Sequence, residues 1–182
     1  MTPEATAGLT AVLAFAAMFA VHGIGDLWVQ RDADATAKGA MNRHGRLACA
    51  RHVTTYTLTT SLAVGLVLLL PFGAHVSPLG FAAGQAFSAI THYAIDRRWT
   101  LLWLANRTGK RTLHDVGTPR HLTVVARKQV LVDTPAGTQH EETAEVEVPL
   151  DARTMGTGAY SLDQSLHLPA LFVSALLTAL IH

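Results

Sequence analysis

The chain has 182 residues, of which 49% are apolar and 15% charged, with a net charge of +1. An average soluble domain carries about 25% charged residues, so this is one domain's worth of chain with the apolar character of a membrane protein. A single cysteine, Cys49, excludes an internal disulfide framework, and a small side chain near a helix start is the simplest reading of it.

The opening Met1-Thr2-Pro3-Glu4 lacks the basic region of a secretory signal, so the apolar run behind it reads as a retained helix. Four apolar stretches follow, at about 9–28, 52–70, 79–96 and 161–181, each approaching the ~20 residues that cross a bilayer as a helix. Residues 53–91 contain no Lys, Arg, Asp or Glu, which argues against a soluble bundle with an apolar core. The expected class is therefore an all-α membrane protein, a four-transmembrane-helix bundle. Arg31, Lys38, Arg43, Arg46 and Arg51 lie between the first two stretches, and the other nine basic residues lie between the last two. The positive-inside bias then places both segments in the cytoplasm of a bacterial plasma membrane, with both termini outside. The basic residues hug helix ends and are not interleaved with aromatics, so nucleic acid is not an expected partner. Trp28, Trp99, Trp103 and Tyr160 read as interfacial anchors.

Between the third and fourth stretches, residues 112–153 have a β-rich texture. His121–Ala126 and Gln129–Val132 are β-prone, Pro135-Ala136-Gly137 reads as a turn, and Thr143–Val148 alternates polar with apolar. A small cytoplasmic hairpin or three-stranded flap is expected, with Glu141, Glu142, Glu145, Glu147 and Asp151 as a solvated face. It would cover a site or recruit a cytoplasmic protein partner.

The chemistry is carried by histidines and aspartates at helical spacing. His22 and Asp26, His92 and Asp96, and Asp163 and His167 are each four residues apart and share a helix face. His52 opens the second stretch, with Tyr56 one turn on. In an up-down-up-down arrangement these ends meet at one depth. Ionisable groups in a bilayer cost roughly 2.5–3.5 kcal/mol each and usually mark a site, and imidazole and carboxylate are ligands of divalent cations. His22, Asp26, His92, Asp96 and His167 are the expected ligands of a Zn²⁺ or Mn²⁺ ion. Asp163 or His52 is the expected general base, and Gln30, Lys38, Arg51 and Gln164 are expected around an anionic substrate. Ser161 followed by Gln164 resembles a capping box opening the last helix, which would aim its positive end at the site. Hydrogen-bonded helix glue and a proton or cation relay are the alternatives. The Ala/Leu/Val-rich outer halves of the stretches argue against a path across the membrane. His44, His75, His114, His121, His140 and His182 have no ligand spacing.

The run His22-Gly23-Ile24-Gly25-Asp26-Leu27-Trp28-Val29-Gln30 with Lys38 resembles the opening motif of the bacterial and phage membrane family called domain of unknown function 3307. The resemblance continues through His52, His92-x-x-x-Asp96 and Asp163-Gln164-Ser165-Leu166-His167, and the Gly156–Tyr160 lead-in is similar to that of actinobacterial and phage members. It covers all four apolar stretches, while residues 112–153 look longer than in that family. A looser similarity in layout and His/Asp usage runs to YdjM-type membrane metal-dependent hydrolases. Together the resemblances imply an integral membrane protein and a metal-dependent hydrolase acting on a lipid or phosphate-containing substrate at the cytoplasmic face.

Overall fold

The computed structural model describes residues 1–117 and 156–181 in full, and the backbone alone of 123–133 and 139–149. The expected turn at Pro135–Gly137, the start of the first β-prone run at His121-Leu122, and Asp151 lie outside the described residues. The helices are α1 (Pro3–Gly23), α2 (Asp32–Ala37), α3 (Arg43–Leu68), α4 (Pro78–Asp96), α5 (Trp99–Arg107), α6 (Arg111–His114) and α7 (Thr157–Leu180). Strands β1 (Thr123–Asp133) and β2 (Gln139–Pro149) pair antiparallel, in register from Thr123 opposite Pro149 to Asp133 opposite Gln139. The described part of the first β-prone run, Thr123–Ala126, and the second run, Gln129–Val132, thus fall in one strand, and a third strand is absent among the described residues.

Local chemistry sets the helix starts. Thr2, Asn42 and Ser77 each accept a hydrogen bond from the backbone N–H three residues on, and Pro3 and Pro78 occupy first-turn positions where no N–H is needed. α1 runs directly into a π-helical turn, Ile24–Val29. There Gly25 lets the Tyr56 ring approach, since a Cβ would meet it at 2.8 Å. Wide turns of this kind collect at functional sites.

The four long helices close a ring: α1 packs on α3 and α7, and α4 packs on the same two. One half of the interior is apolar, built on Ala17, Met18, Val64 and Leu171. Toward the other end it turns polar, through the Thr60–Gln85 hydrogen bond (2.9 Å) to the His/Asp residues. α4 and α7 approach closely because Gly84 has no side chain, so Ser174 Oγ donates to the Gly84 carbonyl at 2.7 Å.

The expectation of four membrane-crossing helices is corrected. Among the described residues one continuous helix, Pro3–Val29, is long and apolar enough to cross a bilayer, with mean hydropathy 1.9. α3 carries Thr54, Thr55, Thr57, Thr59, Thr60 and Ser61 along its middle, α4 carries Gln85, Ser88, Thr91 and His92, and α7 opens with Asp163, Gln164 and His167. These polar groups, among them the buried Thr60, Gln85, Ser88, His92, Asp163 and His167, dilute the apolarity of their helices. The capping box at Ser161 is not formed either: α7 starts four residues earlier behind Gly156, and Ser161 Oγ donates back to the Thr157 carbonyl (2.9 Å). The first turn of α7 therefore lies ahead of the residues expected to open it.

A Cβ at Gly84 would lie 2.7 Å from the Ser174 carbonyl oxygen and closer still to Thr178. Gly84→Ala is expected to cost roughly 1–3 kcal/mol, the range for overpacking a tight contact, read as a lower thermal-unfolding midpoint of detergent-purified protein. Gly65→Ala, where a Cβ meets nothing within 4 Å, should leave the midpoint unchanged or raise it slightly. Equal effects at the two positions would contradict the close α4–α7 approach.

Candidate metal centre

Four helix ends contribute. His22 lies in the last turn of α1 and Asp26 in the π-helical turn. His52 and Tyr56 lie on α3, His92 and Asp96 close α4, and Asp163 and His167 lie in the early turns of α7. All seven imidazoles and carboxylates converge; six are buried, and the Asp26 side chain is 9% exposed.

At the centre, four ligand-type atoms crowd together. His52 Nε2 lies 3.0 Å from His92 Nε2, 3.2 Å from Asp26 Oδ1 and 3.1 Å from Asp96 Oδ2. His92 Nε2 lies 3.1 Å from Asp26 Oδ1 and 3.4 Å from Asp96 Oδ2. A tetrahedral ion with ligands at ~2.0 Å has ligand–ligand edges of about 3.3 Å. Five of the six edges are present at that length before any ion is considered.

Proton positions sharpen the point. With the Gln30 amide oriented so that its nitrogen donates to the Asp26 carbonyl (2.9 Å), its oxygen accepts from His52 Nδ1 at 3.3 Å and Lys38 Nζ at 3.1 Å. In its neutral form that tautomer leaves His52 Nε2 with a lone pair facing His92 Nε2; once protonated, the same nitrogen donates toward Asp26 and Asp96. Asp26 Oδ1 is buried with no hydrogen bond directed at it, although two imidazole nitrogens stand beside it. His167 donates from Nδ1 to the Asp163 carbonyl (3.0 Å), and its buried Nε2 has no partner. Buried polar atoms are normally satisfied, so these two orphaned acceptors call for an explanation.

The surroundings hold these groups in place. His22 pairs through Nδ1 with Tyr56 Oη (2.9 Å) and through Nε2 with Gln164 Oε1 (3.0 Å). The Tyr56 ring stacks on His92, with centroids 3.8 Å apart. Lys38 Nζ donates to Asp96 Oδ2 at 2.9 Å. The backbone of Lys38 is itself fixed by the buried Arg97, which donates to the carbonyls of Lys38 (2.6 Å) and Ala40 (2.7 Å). Burial alone would push the Asp96 carboxyl up, but hydrogen bonds from His52 and His92 hold it well below the usual carboxylate range. Burial likewise works to lower His52 and His92, and contacts with Asp26 and Asp96 outweigh it and raise both. The carboxylates thus draw positive charge onto the same lone pairs, as protons or as a metal ion.

A cavity of ≈ 140 Å³ opens onto this cluster, lined by Asp26, Gln30, Lys38, Asp96, Asp163 and Gln164, with Tyr160 and Arg98 at its wall. Of the residues expected from sequence, Gln30, Lys38 and Gln164 therefore stand at the site. Arg51 stands apart: its guanidinium is held by Asp34 (2.5 Å) beside a separate hollow. The hydrogen bond from Arg51 lowers the Asp34 carboxyl. Spacing did not reveal Asp34, Arg97 or the contact of Tyr56 with two ring systems, because each bridges segments far apart in sequence. Cys49 is buried, with its thiol pushed up to about 12 by burial, and is chemically quiet.

No family model, no curated protein and no solved structure matches this chain.

Proposed function

We propose that the chain is a metal-dependent hydrolase of phosphate-containing substrates, lipid headgroups among them, held at the bacterial inner membrane by α1 with its site toward the cytoplasm. The observation that carries this reading is the set of five contacts of 3.0–3.4 Å that join His52 Nε2 and His92 Nε2 to each other and to Asp26 Oδ1 and Asp96 Oδ2. Two neutral imidazoles and two carboxylates balance the charge of one divalent ion, and the nitrogen–oxygen set suits Zn²⁺ or Mn²⁺. In this assignment His52 is a ligand and not a base, since one ring nitrogen faces the ion position and the other donates to Gln30. An arrangement that served only as hydrogen-bonded helix glue would satisfy its buried polar atoms, whereas Asp26 Oδ1 and His167 Nε2 accept no hydrogen bond here.

A bound ion supplies Lewis acidity to a water and to a phosphoryl oxygen. The protein's own residues do the rest. Lys38 presents its ammonium to the cavity and attracts the anion, and its place is fixed by Asp96, Gln30 and Arg97. In hydrolysis the water oxygen bonds to phosphorus, the ester P–O bond breaks, and the departing oxygen takes a proton from solvent as the attacking water gives one up. Support for the membrane comes from the length and apolarity of Pro3–Val29, from Val12 and Phe19 exposed along it, and from Trp28, 85% exposed at its end. Membership of the domain of unknown function 3307 family is part of the proposal: the His and Asp positions that carry the resemblance are those gathered at the site.

Protein purified in detergent should retain a divalent ion, with His92→Ala losing it and Arg51→Ala keeping it, as read by elemental analysis. Wild-type protein that binds no divalent ion even when supplied with one would end the proposal. Because His52 and His92 are raised, protons compete for the ligand nitrogens, so metal affinity measured by calorimetry should fall as pH drops from about 8 to 6. In hydrolysis of a phosphoester, Lys38→Gln should raise KM by about tenfold or more, the worth of one charge-assisted hydrogen bond, with a smaller change in kcat.

A further inference from the structure

The proposed first set uses four of the seven groups and leaves His22, which is hydrogen-bonded to Tyr56 and Gln164, together with His167 and Asp163. His167 is 2% exposed, its tautomer is fixed by the Nδ1 donation to the Asp163 carbonyl, and its Nε2 meets no partner. Ligand atoms of Asp96, Asp163 and His167 all lie within 4.8 Å of one another. Asp96 also belongs to the group formed with His52 and His92. A carboxylate has two oxygens, so Asp96 is placed to serve both groups at once.

We infer that the site holds two divalent ions, the second held by His167 and Asp163 and sharing the Asp96 carboxylate with the first. This rests on the first-ion reading above and deepens it. Charge counting favours it for an anionic substrate. Asp26, Asp96 and Asp163 against Lys38 and Arg98, the charged residues that line the cavity, leave a formal charge of −1, which one divalent ion turns to +1. A second ion raises the surplus to +3, which complements a phosphate group in the cavity that Asp163, Lys38 and Gln164 line. Asp163 is then a ligand, and not the general base that its position in the sequence suggests. The Asp163–Gln164 contact (3.3 Å) and the Gln164–His22 contact (3.0 Å) orient the second set as Gln30 orients the first.

The test is metal stoichiometry on the full-length, detergent-purified chain loaded with Mn²⁺ and freed of excess ion, with electron paramagnetic resonance on the same samples. Two ions per chain with an exchange-coupled signal are expected for the wild type. His167→Gln and Asp163→Asn should each keep one ion with the uncoupled six-line signal. Wild-type protein holding one ion overturns the second site while the hydrolase reading stands, with Asp163 free to take a proton. Protein holding none overturns both. Two ions persisting in both variants would overturn the assignment of His167 and Asp163.

Discussion

Two buried carboxylates packed 3.1–3.4 Å from two imidazole nitrogens call for compensating positive charge, from protons on the rings or from a cation. The rest of the architecture answers that demand. Lys38 supplies one positive charge from the rim, and protons drawn onto His52 and His92 supply part of the remainder when no ion is bound. Protons on those rings also face Asp26 Oδ1, 3.2 and 3.1 Å away, while His167 Nε2 meets no partner. The cluster is one that could hold a cation, since ligand atoms of its histidines and aspartates lie within 4.8 Å of one another in groups of three.

Holding such a cluster requires helices that stay put. At the far end of the ring the backbone-close contact at Gly84 and the Ser174 hydrogen bond clamp α4 to α7. Ser77 Oγ donates to the Ile181 carbonyl (2.7 Å), tying the start of one to the end of the other. The apolar half around Met18 and Leu171 separates this clamp from the polar half. Each long helix therefore has a structural end and a chemical end, and the side chains that meet at the chemical end are positioned by packing a whole helix length away.

Much of the site was legible from spacing. Four-residue intervals put His92 beside Asp96 and His167 beside Asp163, as the helical period requires, and helix alternation brought the pairs to one end. Spacing misjudged roles. It gave His52 no partner on its own helix and so suggested a base, whereas its neighbours are Asp26, His92 and Asp96 on other elements. It also treated Lys38 and Arg51 alike, and only the fold separates them, sending one to Asp96 and the other to Asp34. The count of membrane-crossing helices failed for a related reason: apolar runs were weighed as whole stretches, while Thr, Ser and Gln side chains, some buried and some exposed, lower the apolarity of three of the four.

The end of α4 explains how a loop residue reaches a helix-borne cluster. After Asp96 the chain reverses at Arg98, a non-glycine residue at φ 59°, a conformation that costs about 1 kcal/mol or more. The reversal turns two adjacent arginines back toward residues 35–40, where Arg97 donates to the Lys38 and Ala40 carbonyls and Arg98 to that of Ala35 (2.9 Å). Hydrogen bonds from charged groups, worth about 1.5–3 kcal/mol each, more than offset the strain. Asp96 and the arginines that seat Lys38 are consecutive in sequence, so the carboxylate and its ammonium partner are placed by the same turn. Any movement of that turn shifts Lys38 and Asp96 together, which preserves their 2.9 Å contact and keeps the positive rim in register with the ligand set.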